Sequence, residues 1–331
     1  MDRLKTPVAL FIFKREKAVE IVKRISQVKP ERLYIIADAG RNEEEHKAAI
    51  ECRSKVEAAV DWDCEIIKDY AEENRGVYGN IGGGALRVFE REDTAIFLED
   101  DNLPEVTFFR FCEELLDKYR DDTRVLWICG TNYLEDYTPA DGASYMFTKH
   151  LLPCGWASWK KKFTQMYDLE LKACSDDVLL ERMKDQYCDK RLYDQYRRCW
   201  MQEFRRLENG KRPISWDYQM DFAVKANGVY GISPCKNQIK NIGVDELSIH
   251  GGTSYAHKMT VRFCGMGSKP LDFPLKHPVT VLPDTEYEKK IGAVILYPFA
   301  TRFRMGVGKK IKKILGMRPE DSLTAKFKVK K

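Results

Sequence analysis

No C-x-x-C pair occurs in this 331-residue chain, although it holds ten cysteines. They are scattered, and Cys112 and Cys129 sit inside apolar patterns where a reduced thiol acts as a small hydrophobe, so no disulfide framework is expected. The five histidines show no metal-ligand spacing and no H-E-x-x-H occurs, which sets aside the common zinc enzymes. No G-x-G-x-x-G follows the first apolar run, which argues against a dinucleotide-binding Rossmann site. Gly82-Gly83-Gly84 lacks the Lys-Ser/Thr of a phosphate-cradling loop, and Gly306-Val307-Gly308-Lys309 lacks its spacing. There is no G-x-S-x-G nucleophile elbow. No apolar run approaches the roughly 20 residues of a membrane span, and Met1 to Pro7 does not read as a signal peptide. Together with reduced cysteines, these absences make a reducing cytoplasm the expected location.

What is present reads as a globular α/β protein. Hydrophobic residues are 44% and charged residues 32%, enough apolar surface for one large core or two modest ones. The net charge of +5 is small for this length and does not point to nucleic acid. Val8 to Phe13 is a continuous apolar run, as in a strand covered on both faces. Ala18, Ile21, Val22 and Ile25 then fall on one helical stripe. Leu33 to Ala37, ending at Asp38, reads as a second strand, and Cys64 to Ile67 as a third. Helices are expected around Ala49–Val60, up to Arg91, and over Phe108–Tyr119, with Val125–Cys129 and Val229–Ser233 as further strands. Repeated strand–helix units predict a largely parallel sheet with right-handed crossovers, and ligands then bind beyond the carboxyl ends of the strands. The Gly82–Gly84 triplet is expected to let a helix pack closely on that sheet.

Thr94-Ala95-Ile96-Phe97-Leu98-Glu99-Asp100-Asp101 is the most informative segment, a buried strand running straight into three acids. Adjacent carboxylates repel and lose hydration on burial, so a cation must gather them unless they form a solvated turn. At a strand's carboxyl end, a divalent cation with a phosphorylated ligand is the natural partner. Lys14-Arg15 and Asp38 are predicted at the same edge. Residues 176–209 read as a charged helical insertion or lid. Near the C-terminus, Val307, Ile311, Ile314 and Leu315 form an apolar stripe flanked by Lys309, Lys310, Lys312 and Lys313. Such a helix either lies on an anionic membrane surface or packs on its own domain. Lys326, Lys328, Lys330 and Lys331 would strengthen the first arrangement.

Leu98-Glu99-Asp100-Asp101, Pro153-Cys154-Gly155-Trp156-Ala157-Ser158-Trp159, Ser215-Trp216-Asp217-Tyr218 and Leu247-Ser248-Ile249-His250-Gly251 occur in an order that resembles the GT-A glycosyltransferases. The likeness is to bacterial sugar transferases of the hemolytic protein-like type and, more distantly, to the N-acetylglucosaminyltransferase I family. It spans roughly residues 5–255. The resemblance implies a GT-A domain at 1–255, with a nucleotide-binding half at 1–135 and an acceptor half at 136–255, followed by a C-terminal extension at 256–331. It also implies a manganese or magnesium ion on Asp101, with Asp100 near the ribose and Glu99 supporting the donor. Arg15, Asp38, Arg75 of the Asn74-Arg75-Gly76 loop, Gly155, Trp156 and His250 would complete the donor site. Asp217 would be the general base, although the related enzymes place a second acid where this chain has Tyr218.

Other readings of these residues stay open at this level. Asp217 could cap a helix, Trp156 and Trp159 could be core, His250 could be a turn residue and Arg75 a surface pair. The expected activity is metal-dependent, inverting transfer from a nucleotide-diphosphate sugar, UDP by resemblance, to a glycan or lipid-linked glycan acceptor. The competing readings are a sugar nucleotidyltransferase and a non-catalytic carbohydrate- or membrane-associated scaffold.

Overall fold

The computed structural model describes residues 3–244 and 258–317. Strands and helices alternate through the first hundred residues as β1 (Val8–Ile12), α1 (Ala18–Ile25), β2 (Arg32–Ala37), α2 (Glu43–Ala58), β3 (Glu65–Tyr70), α3 (Gly83–Arg91) and β4 (Thr94–Glu99). There follow β5 (Asn102–Pro104), α4 (Val106–Lys118), β6 (Val125–Cys129), β7 (Tyr145–Thr148), β8 (Trp156–Trp159), α5 (Lys160–Met166), α6 (Asp177–Arg182), α7 (Lys190–Glu208) and α8 (Asp217–Ala226). The chain continues through β9 (Tyr230–Pro234), β10 (Ile239–Asn241), α9 (Lys258–Cys264), α10 (Thr285–Ile295) and α11 (Phe299–Ile314).

Eight strands form one sheet in the order β3-β2-β1-β4-β8-β6-β9-β7. β1 pairs in parallel with β2 and β4, β2 with β3, and β6 with β9, while β8 runs antiparallel between β4 and β6 and β7 lies antiparallel on the edge. This is the expected fold class, α/β with a mostly parallel mixed sheet between helices. β3 runs to Tyr70, beyond the expected Ile67, and as the other edge strand its side chains are only partly covered.

Residues along β1 alternate between the two faces of the sheet. Val8, Leu10 and Ile12 pack with Ile21 and Val22 of α1 and with Phe108 and Cys112 of α4. Ala9 and Phe11 join Val88 and Phe89 of α3, Trp200 of α7 and Met220 of α8. Burying each of these large side chains contributes on the order of 1.5–3 kcal/mol. Gly84 touches the sheet as the triplet predicts, since a Cβ there would come within 2.8 Å of Phe11.

Two regions differ from expectation. The insertion at 176–209 is helical, but it is a wall of the molecule, with Leu180, Met183, Leu192, Tyr193 and Trp200 in the main core. The segment from 256 was expected to be a C-terminal extension to the domain. Instead α10 inserts Tyr287, Ile291 and Ile295 into that same core, and Tyr287 Oη lies 2.6 Å from Ser233 Oγ and donates to Asn132 Oδ1 at 3.1 Å. The terminal helix α11 starts at Phe299, well before the stripe read from Val307, and runs through Gly306 and Gly308. Among the described residues, no helix is long and apolar enough to cross a membrane.

Candidate active site

Register places the polar tips together. Phe11 pairs with Glu99 and Ile12 with Ala37, so the chain leaves β1, β2 and β4 at one edge of the sheet. A cleft of about 650 Å³ opens there, and Lys14, Arg15, Asp38, Glu99, Asp100 and Asp101 line it. More of the lining comes from α7, from α8 and from the residue before it, through Tyr196, Glu203, Trp216, Asp217, Tyr218 and Asp221.

The acidic triplet is not splayed into solvent. Arg15 Nη1 donates to Asp101 Oδ2 at 2.7 Å and to Asp100 Oδ1 at 3.1 Å, and the Phe13 amide donates to Asp100 Oδ2 at 3.2 Å. Asn102 Nδ2 donates to Asp101 Oδ1 at 2.7 Å. The antiparallel β5–β10 ladder pairs Asn102 with Asn241 and brings the backbone of Gly243 against the Asp101 carboxylate, where a Cβ would lie 2.3 Å from Oδ2. Burial first, then Asp101, Asp100 and Asp217, push the Glu99 carboxyl well above its usual range against the pull of Arg15. Burial and Asp101 likewise raise Asp100 to about 7, again opposed by Arg15.

Among the described residues no three histidine, cysteine or carboxylate groups form a ready-made metal cage. The donors facing the cleft are carboxylate oxygens in negative excess, a chemistry that suits a hard divalent cation held through one carboxylate with phosphate oxygens and water completing its shell.

Asp38, which lines the cleft, also holds a neighbouring loop. Its Oδ1 accepts from the amides of Ala39 at 2.8 Å and Arg75 at 2.7 Å, and its Oδ2 accepts from the Gly76 amide at 2.9 Å and Asn74 Nδ2 at 3.1 Å. With four donors satisfied, the carboxylate organises the 74–76 loop. The Arg75 guanidinium turns to Asp69, 2.8 Å away, and Arg75 is not part of the cleft lining.

Gly155 and Trp156 do not line the cleft either. Trp156 is buried between Phe97, at a centroid separation of 3.9 Å, and Trp127, at 4.2 Å, so it is core. Gly155 acts at one remove. It adopts φ +60°, a conformation favouring glycine, and its amide donates to Asn102 Oδ1 at 2.8 Å. His250 lies outside the described residues.

Asp217 opens α8 and does not cap it; Trp216 holds the cap position without a side-chain bond. Ser215 Oγ donates to Asp217 Oδ1. Buried Glu203 of α7 accepts from the Ile214 amide at 2.7 Å, fixing the turn that presents Asp217. Tyr218 stands where the resemblance drawn from the sequence implies a second acid. Burial first, with Cys199, Tyr297 and Asp217, raises its phenol far above the ordinary value, so it stays protonated at neutral pH and cannot replace the missing carboxylate.

Sequence reasoning missed Asn102, Glu203 and Asp221. Asp221 is 1% exposed and lies one helical turn after Asp217 on the cleft side of α8. Trp200 Nε1 donates to its Oδ2 at 3.1 Å and Tyr187 Oη donates to the same oxygen at 3.4 Å, while Oδ1 has no hydrogen-bond partner among the described residues. Burial raises it to about 7, with Asp217 adding and Lys225, Trp200 and Tyr187 opposing. The i, i+4 spacing of Asp217 and Asp221 was the available signal.

No protein-family model and no curated protein matches this chain. Among solved structures, it overlaps 4-diphosphocytidyl-2C-methyl-D-erythritol synthase from Anaerococcus prevotii at 10% identity and TM-score 0.33, covering 52% of this chain and 78% of the other. UDP-glucose pyrophosphorylase complexed with UDP-glucose overlaps at 9% identity and TM-score 0.34, covering 71% and 92%. Mouse xyloside xylosyltransferase 1 overlaps at 9% identity and TM-score 0.35, covering 66% and 80%. Overlaps of this extent say nothing of the chemistry, which is read from the cleft itself.

Proposed function

We propose that the cleft binds a nucleoside-diphosphate sugar, UDP-linked by resemblance, and transfers the sugar with inversion to a hydroxyl of a growing glycan or lipid-linked glycan. The observation that carries this reading is the convergence of Arg15, the Glu99-Asp100-Asp101 triplet and Asp217 in one cleft at the carboxyl edge of the sheet. Asp101 would hold manganese or magnesium, with Asp100 and Arg15 beside it. The bound cation would neutralise charge developing on the departing diphosphate.

The chain's own groups divide the remaining work. Ser215 occupies Asp217 Oδ1, which leaves Oδ2 to accept the proton of the acceptor hydroxyl as it attacks. Attack on the face opposite the diphosphate inverts the anomeric centre. Tyr133, Trp216 and Tyr218 line the cleft with aromatic surface, which excludes water and suits a sugar ring.

The test is turnover of a panel of nucleotide sugars with and without manganese or magnesium. Donor-dependent transfer or hydrolysis is expected only with the cation. Asp101→Ala should abolish it, and Asp217→Asn should keep donor binding while losing transfer. Pyrophosphate release from a nucleoside triphosphate would instead identify a nucleotidyltransferase, and cation-dependent nucleotide binding with no turnover would identify a binding scaffold.

A further inference from the structure

The terminal helix is amphipathic with its apolar side turned outward. In an ordinary surface helix the apolar stripe faces the core. Here Phe299 is 72% exposed, Phe303 64% and Ile314 83%, and Val307 and Ile311 on the same stripe are each 42% exposed. The helix rests on its other side, where Lys312 is buried. A cluster of solvent-facing aromatic and branched side chains over four turns costs solubility and marks a docking surface.

Charge identifies the occupant. Residues 299–317 contain Arg302, Arg304, Lys309, Lys310, Lys312 and Lys313 and no acid. Arg304, Lys310 and Lys313 are exposed around the stripe. Stacking this face on a second copy of itself would bring like charges together, whereas an anionic bilayer takes both features at once. Its acyl boundary accepts the apolar side chains and its headgroups accept the cations on flexible stems. The 16-residue helix, about 24 Å long, is of a length suited to lying in the interface plane.

We infer that α11 docks the protein on an anionic lipid surface through Phe299, Phe303, Val307, Ile311 and Ile314. Docking also orients the cleft. Ile295 and Tyr297 line it and stand just before the start of the helix. Docking would therefore hold this part of the cleft lining near the bilayer, from which a lipid-linked acceptor would enter; that last step, unlike the docking itself, rests on the sugar-transfer reading.

Cosedimentation of the full chain with phosphatidylcholine vesicles, with and without phosphatidylglycerol, tests this independently of any activity. Binding is expected to the anionic vesicles, to weaken with added salt, and to be poor to the neutral ones. F299S/F303S should weaken it about tenfold or more through lost apolar burial, and K310E/K313E about tenfold or more through lost attraction. Both variants should melt with the wild-type protein, because the changed side chains face solvent. Failure of the wild type to bind anionic vesicles would overturn the inference, as would equal binding to neutral vesicles, or variants that bind unchanged or melt early. A dimer seen by light scattering and dissolved by F299S/F303S would assign the face to a second copy instead.

Discussion

Asn102 Nδ2 lies 2.7 Å from Asp101 Oδ1, and its own Oδ1 accepts the Gly155 amide at 2.8 Å. Asp101 is thus aimed by a buried amide that is itself held by a glycine amide at the start of β8. Groups that orient a metal-binding carboxylate typically contribute 10–100-fold to metal affinity. Asn102→Ala should therefore weaken manganese binding by about that factor. Titration calorimetry with manganese in the presence of UDP measures it, and unchanged affinity would separate Asn102 from the cation.

Asp38 makes a sharper structural prediction. In Asp38→Asn, an amide NH2 must face donors that now meet a carboxylate oxygen, and each buried donor left unpaired costs about 1–3 kcal/mol. The 74–76 loop should loosen. Hydrogen exchange at the Arg75 and Gly76 amides should speed up well before global unfolding, whereas unchanged protection would deny Asp38 its organising role.

Asp221 sets a pH dependence. Its folded value of about 7 stands above the ordinary carboxylate value near 4, so across that interval the folded state binds more protons than the unfolded one. Its contribution to stability therefore falls as pH rises from about 4 to 7. The groups facing it are Lys225, Asp217, Tyr187 and Trp200, and burial drives Lys225 downward as well. Asp221→Asn removes the ionisation. Relative to wild type, the variant should gain stability between pH 5 and pH 8, on the order of a few kcal/mol at most. Urea unfolding at the two pH values gives the difference; a gain toward acid pH would contradict the assignment.

Trp156 belongs to the core, and its substitution should behave accordingly. Trp156→Leu should cost about 3 kcal/mol from lost stacking and a residual cavity. Nucleotide affinity of the folded protein should stay at the wild-type value, measured by titration below the melting temperature. A selective loss of affinity would return Trp156 to the donor site.

The parallel half of the sheet was legible because β1, β2, β4 and β6 are short apolar runs, a pattern that survives without knowledge of their neighbours. The convergence of Arg15 and the acids followed from strand polarity alone. Trp156 was misplaced because β8 is a four-residue strand whose burial comes from pairing with β4 and β6, more than 25 residues away in sequence. Helix α10 was missed although Asp284 caps it and Tyr287, Ile291 and Ile295 repeat every four residues. Its interleaved charges dilute that stripe. Asn102 and Glu203 carried no readable signal, since their roles arise only when β5 meets β8 and α7 meets the turn before α8.

Arg15, held between Asp100 and Asp101, gives the acidic cluster a counter-ion from the chain itself. Folding here need not wait for a mineral partner, in contrast with small domains that collapse only around zinc. On the sugar-transfer reading proposed above, chelation should remove turnover and leave the architecture standing, so assembly and activation would be separable events.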